Sequence, residues 1–216
     1  MTESTQREHI PEPPEDLHRR SLPLITPDEL GIGLFRCHRT DRPYSAVEFN
    51  FTDIDDRFND PLGEFGVLYV GSDPFCAFIE TFGASMVSSA LELRLVSESD
   101  LNRRCICQIS VDVDRPPLRL VNLADGFGFS RLGIDGRIST TSQRSATRNW
   151  SRSLWSHPEQ PDGLVYRARH DQLRHSIVLF DRIGSVLTSG CESNVLREPV
   201  ELAKILDFYH VGLDPS

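Results

Sequence analysis

The order of the apolar segments constrains the fold more than any other feature of this chain. Runs with strand character lie at Gly33-Leu-Phe-Arg-Cys-His38, Gly66-Val-Leu-Tyr-Val70, Cys105–Val111, Leu118–Leu123, Leu164-Val-Tyr166 and Ser176–Phe180. Helical patterns fall through Phe75, Phe78, Ile79 and Phe82, across Thr140–Trp155, and over residues 198–208. Strands and helices are mixed without strict βαβ alternation, which favours α+β over a doubly wound parallel sheet.

Local punctuation sharpens this pattern. Gly71-Ser-Asp-Pro74 is a turn in which Asp73 caps the following helix and Pro74 takes its first position; Gly83 is the expected stop. Residues 39–60 are polar and Asp-rich, the mark of a long functional loop. The glycines of 125–136 predict another loop, and Asp162-Gly163 a turn. Residues 1–28, with scattered prolines and charges, read as a flexible or loosely docked lead-in to one domain over 29–216.

Composition removes several classes of function. A net charge of −9 over 216 residues argues against a surface built to grip a phosphate backbone. Arginine supplies all positive charge except Lys204, and its planar fork suits carboxylates and the phosphates of small molecules. The five cysteines (Cys37, Cys76, Cys105, Cys107, Cys191) form no C-x-x-C pair and no disulfide framework. Cys105 and Cys107, two apart in a strand, share one face and read as buried free thiols. No apolar run reaches ~18 residues and the N-terminus has no apolar leader core, so a reducing cytoplasm, with no membrane, is expected. Dinucleotide-fold, P-loop, zinc-protease and nucleophile-elbow motifs are absent, and no metal is called for.

Four side chains are out of character with their surroundings. Arg36 sits inside an apolar strand, where a guanidinium needs a carboxylate partner or a ligand. Glu80 lies within the apolar helix Phe75-Cys-Ala-Phe-Ile-Glu-Thr-Phe82 and needs a partner or a task. Taken alone, Arg57 in Asp56-Arg-Phe-Asn-Asp-Pro61 reads as part of a solvated turn, and Tyr69 as a core residue. His38 and His170 read as structural or surface histidines. Arg144, Arg148 and Arg152, at helical spacing, read as a solvated stripe.

Taken in order, Leu34-Phe-Arg-Cys-His38, Asp56-Arg-Phe-Asn-Asp-Pro61, Gly66-Val-Leu-Tyr-Val70, Ala77-Phe-Ile-Glu80 and Asp162-Gly-Leu-Val-Tyr-Arg-Ala-Arg-His-Asp171 resemble the successive blocks of the RES domain family. With Ile177-Val-Leu-Phe-Asp-Arg182, the resemblance spans about residues 31–185. It implies an ADP-ribosyltransferase-like fold, a split and curved β-sheet with flanking helices around a cleft for NAD⁺. It implies cleavage of the nicotinamide–ribose bond by water or inorganic phosphate, without a metal. It further implies a toxin held by a helix-turn-helix antitoxin; a homodimer is compatible with it.

By the same resemblance Arg36, Tyr69 and Glu80 are the catalytic positions, and Arg57 is a second, substrate-binding arginine. Glu80 would stabilise the oxocarbenium-like charge on the ribose, the arginines would hold the pyrophosphate, and Tyr69 would stack on nicotinamide. The chain departs from the family at Ala168, where a serine is usual in the substrate-binding block. That missing hydroxyl fits an inactivating replacement, a slower enzyme, or a cleft that binds NAD⁺ without turning it over. Two rival readings accompany the NAD⁺-degrading enzyme: a non-catalytic interaction module, and a transferase that modifies a macromolecule.

Overall fold

The computed structural model describes residues 9–43, 45–51, 56–87, 94–190 and 194–215. Ten strands are present among them: β1 Leu24–Ile25, β2 Phe35–Arg39, β3 Val67–Gly71, β4 Arg94–Ser97, β5 Arg104–Val111, β6 Leu120–Leu123, β7 Gly163–Arg167, β8 His175–Phe180, β9 Leu187–Gly190 and β10 Val211–Asp214. The helices are α1 Pro27–Leu30, α2 Pro74–Val87, α3 Glu98–Asn102, α4 Gly126–Leu132, α5 Arg137–Thr140, α6 Arg144–Trp155 and α7 Pro199–Tyr209. Eight strands form one mixed sheet in the order β1-β6-β7-β8-β3-β2-β5-β9, and β10 pairs with β4 in a small second sheet. Only β6–β7 and β4–β10 run parallel. This is the α+β architecture expected, with helices on both faces of the large sheet.

Alternation along the strands distributes the core between those faces. Val67, Val178, Leu164 and Tyr166 pack with Trp150 and Leu154 of α6, while Leu68, Val70, Val165, Ile177 and Leu179 face the opposite layer. A third cluster joins Phe78, Ile79 and Phe82 of α2 to Ile106 of β5 and to α7. The sheet divides between β3 and β2. These two strands share one register pair, Phe35 with Gly71, whereas β2 and β5 share five.

Four expectations need correction. Helix α2 does not stop at Gly83 but runs to Val87. Gly83 instead provides clearance: a Cβ there would lie 2.7 Å from Cγ of His170. Within the glycine-rich stretch, α4 forms because the Asp125 carboxylate accepts hydrogen bonds from the Phe127 and Gly128 amides. The helix expected over Thr140–Trp155 begins only at Arg144, as α6; Thr141–Gln143 separate it from the short α5, which ends at Thr140. Residues 9–28 are not loose. Ile10, Leu17 and Leu22 are buried in the core, and the Trp150 indole donates to the Pro11 carbonyl at 2.8 Å. Cys191 and residues 1–8 lie outside the described residues.

Candidate functional site

A cleft of about 440 Å³ opens where β2 and β3 diverge, a size suited to a small-molecule ligand. Arg36 of β2, Arg57 of the loop between β2 and β3, Tyr69 of β3 and Glu80 of α2 all line it. Four residues spread over forty-five positions of sequence therefore meet at one place.

Their fixing follows from local structure. Asp73 caps α2 by accepting from the Cys76 amide at 2.8 Å, which sets the rotation of the helix about its axis. That rotation buries Phe78 and Phe82 and leaves Glu80, one turn along, at the cleft wall. The Glu80 carboxylate accepts a hydrogen bond from the His170 backbone amide at 3.0 Å. Tyr69 stands between two loop groups: its hydroxyl accepts from the Phe58 amide at 2.8 Å and donates to the Asn59 side chain at 3.0 Å. Burial pushes its phenol well above the ordinary range, with Tyr166 and Asp56 adding to the effect, so the hydroxyl stays protonated.

Arg57 is 6% exposed, contrary to the solvated turn that its local sequence suggests. Its guanidinium donates to the carbonyl of Thr141, at 2.8 Å in the break between α5 and α6, and to that of Ile138 in α5, at 3.3 Å. Burial lowers its pKa, and Tyr166 partly offsets this. Arg36 borders the cleft, the second of the two roles open to a strand arginine. One nitrogen donates to the carbonyls of both Ala46 and Glu48, at 2.9 Å each, tying the 46–48 segment to β2. Its side chain thus both borders the cleft and anchors the loop beside it.

Ala168 is fully buried and is not among the lining residues. It continues the line of Tyr166 beyond the end of β7, and its amide donates to the Arg174 carbonyl. A hydroxyl in the cleft comes instead from Ser176 on β8, paired across the ladder with Tyr166. Tyr166, Ser176, His170 and Arg144 all line the cleft, and sequence reasoning assigned none of them a role there. The signal for Tyr166 was its place beside Arg167-Ala168. Ser176 carried none beyond opening a strand.

The stripe Arg144–Arg148–Arg152 is likewise not simply solvated. Arg144 turns into the cleft, and Arg152 binds Asp60, whose side chain is fully buried, at 2.9 Å. Asp60 lies three residues after Arg57, so this ion pair fixes the loop that carries Arg57 and the partners of Tyr69.

The cleft thus presents two carboxylates, Asp56 and Glu80, against four guanidinium groups and two protonated phenols. Such a set can hold an anionic ligand by its phosphates and place a negative charge against a cationic centre of the same molecule.

Residues 34–197 match the RES domain family. A protein described as probable toxin y4kH, from Sinorhizobium fredii (strain NBRC 101917 / NGR234), is 33% identical over 104 residues, covering 48% of this chain and 80% of that protein. The solved structure of the M. tuberculosis MbcT–MbcA toxin–antitoxin complex contains a chain that superposes with a TM-score of 0.51 at 15% identity, over 69% of this chain and 73% of that one. At that identity the likeness concerns the fold, and it agrees with the split sheet seen here. On the family match across most of its length, this chain belongs to the RES domain family.

Proposed function

We propose that this cleft binds NAD⁺ and breaks its nicotinamide–ribose bond, and that the chain is the toxin of a toxin–antitoxin pair. The observation that carries the reading is Glu80: a carboxylate on an apolar helix, aimed into an arginine-lined cleft and held there by the His170 amide. As nicotinamide departs with the electrons of the C–N bond, positive charge develops on the ribose. A fixed carboxylate stabilises that charge without reorganising at the moment of reaction. The acceptor, water or inorganic phosphate, then forms the new C–O bond and loses a proton.

The remaining groups bind and orient. Arg57 and Arg144 face the pyrophosphate, Arg36 braces the 46–48 segment at the rim, and the Tyr69 and Tyr166 rings present flat surfaces for nicotinamide. Ser176 is the hydroxyl available to a ribose oxygen, so Ala168 in the family's serine position does not leave the cleft without one. No step in this scheme needs a metal.

Nicotinamide release from NAD⁺, with and without added phosphate, tests the reading. The chain is expected to release nicotinamide, and Glu80→Gln to slow release by about 10²–10³-fold. Ala168→Ser is expected to change the rate far less. No release from either the native chain or Ala168→Ser would favour a binding module, and stable transfer of labelled ADP-ribose to a macromolecule would favour a transferase. Membership of the family, and the likeness to a toxin solved with its antitoxin, support an antitoxin partner for this chain, here proposed to be of helix-turn-helix type. Growth arrest on expression, relieved by Glu80→Gln and by the neighbouring antitoxin gene, is the matching test in cells.

A further inference from the structure

Beside the cleft, β2 and β5 bring a second group of reactive side chains together. In the antiparallel register His38 stands opposite Cys105, and Arg36 opposite Cys107. Side chains two apart in a strand share a face, so His38, Cys105 and Cys107 form three corners of a block whose fourth is Arg36. Their imidazole nitrogen and two sulfurs all lie within 4.8 Å of one another. Cys37 and Ile106, the pair between them, face the other way, toward α2. The chain contains no C-x-x-C, and the motif is invisible as linear spacing because one donor is contributed from a different strand.

We propose that His38, Cys105 and Cys107 form a binding site for a thiophilic d¹⁰ cation, of which Zn²⁺ is the representative. Two thiolates and one imidazole are the donor types such ions select. The geometry is close to what binding requires: tetrahedral Zn²⁺ with sulfur bonds of about 2.3 Å holds two sulfurs about 3.8 Å apart, which side-chain rotation reaches from the observed spacing. The histidine is also oriented for the task. Its Nδ1 lies 3.1 Å from the Arg39 carbonyl; donating a proton there leaves the lone pair on Nε2. Ligating histidines are fixed in this manner by backbone carbonyls.

Access agrees with this assignment. Both thiols are buried, whereas His38 is half-buried and borders a groove of about 600 Å³ lined by Arg36, Arg39, Arg42 and Arg104 together with Glu48. A cation would enter from that side and take its fourth ligand from water. Two thiolates neutralise a divalent ion, so no net positive charge is added beside Arg36. The occupied site would staple β2 to β5 beside Arg36, on the same face of those strands.

The test is titration of the reduced full chain, kept in a phosphine reductant, with Co²⁺ as the spectroscopic probe. One equivalent is expected to produce a sulfur-to-cobalt charge-transfer band, which Zn²⁺ then abolishes by displacement. Cys107→Ser and His38→Gln are expected to weaken binding on the order of tenfold or more. Cys37→Ser, on the opposite face of the same strand, should leave the band intact. His38 is half-buried, so His38→Gln decides the matter should a buried Cys→Ser variant fail to fold. The proposal is overturned by the absence of a charge-transfer band at one equivalent. A band insensitive to His38→Gln, or lost in Cys37→Ser, overturns it equally. None of these readouts depends on NAD⁺ cleavage, so the two readings succeed or fail separately.

Discussion

Arg57 shows how a residue's chemistry can be hidden by its local sequence. Asp56-Arg-Phe-Asn-Asp-Pro61 has the composition of a solvated turn, yet Arg57, Phe58, Asn59 and Asp60 are all buried. Distant groups cause this: the Thr141 carbonyl accepts a hydrogen bond from the Arg57 guanidinium, Ser151 donates to the Phe58 carbonyl, and Arg152 neutralises Asp60. No window of a few residues contains those partners. Glu80 was the legible residue, because a carboxylate among Phe78, Ile79 and Phe82 is conspicuous wherever the chain goes. The thiols make a prediction at this scale. Burial pushes Cys37 up to about 11 and Cys76 up to about 12, so both remain thiols near neutrality. Alkylation by iodoacetamide at pH 8 should leave both unmodified in the folded protein and label both after denaturation. Labelling of the native protein at either position, read by peptide mapping, would contradict the raised pKa of that thiol.

Among the elements, the beginning of α2 was readable and its end was not. Asp73 and Pro74 are local signals, and they act locally. Gly83 is also a local stop signal, but here it serves a contact with a residue far along the chain, leaving room for the His170 ring. Gly83→Ala separates the two roles. Alanine is the better helix former by about 1 kcal/mol, but its Cβ would sit 2.7 Å from His170, and overpacking of this kind costs about 1–3 kcal/mol. The clash should win. We expect helix content to be unchanged, while nicotinamide release falls because the His170 amide that holds Glu80 is displaced. Unchanged release would show that Glu80 is positioned without that amide. Similar logic explains α4, read as a loop because glycines usually mark one. A Cβ at Gly128 would lie 1.8 Å from the Asn122 carbonyl oxygen, so this glycine permits the helix to fold back on β6.

For the molecule as a whole, the mixture of strand and helix periods gave the α+β class, and five ordered blocks gave the family. What the periods could not give was the strand order. β2 and β3 are neighbours along the sequence, yet they touch at only one register pair, and the cleft exists because of that separation. The N-terminal stretch was misread because its prolines and charges masked three spaced anchors. Removing residues 1–22 strips Ile10, Leu17 and Leu22 from the core, a loss on the order of 4 kcal/mol from buried apolar surface. The truncated chain should unfold at distinctly lower urea concentration, and an unchanged midpoint would mean that the segment is not part of the folded unit. The most direct test of the central claim is a crystal structure of the Glu80→Gln protein with NAD⁺. The account predicts the dinucleotide in the cleft between β2 and β3, with its nicotinamide ribose within hydrogen-bonding reach of residue 80 and its pyrophosphate beside Arg57 and Arg144. An empty cleft at saturating NAD⁺, or a dinucleotide bound away from residue 80, would contradict it.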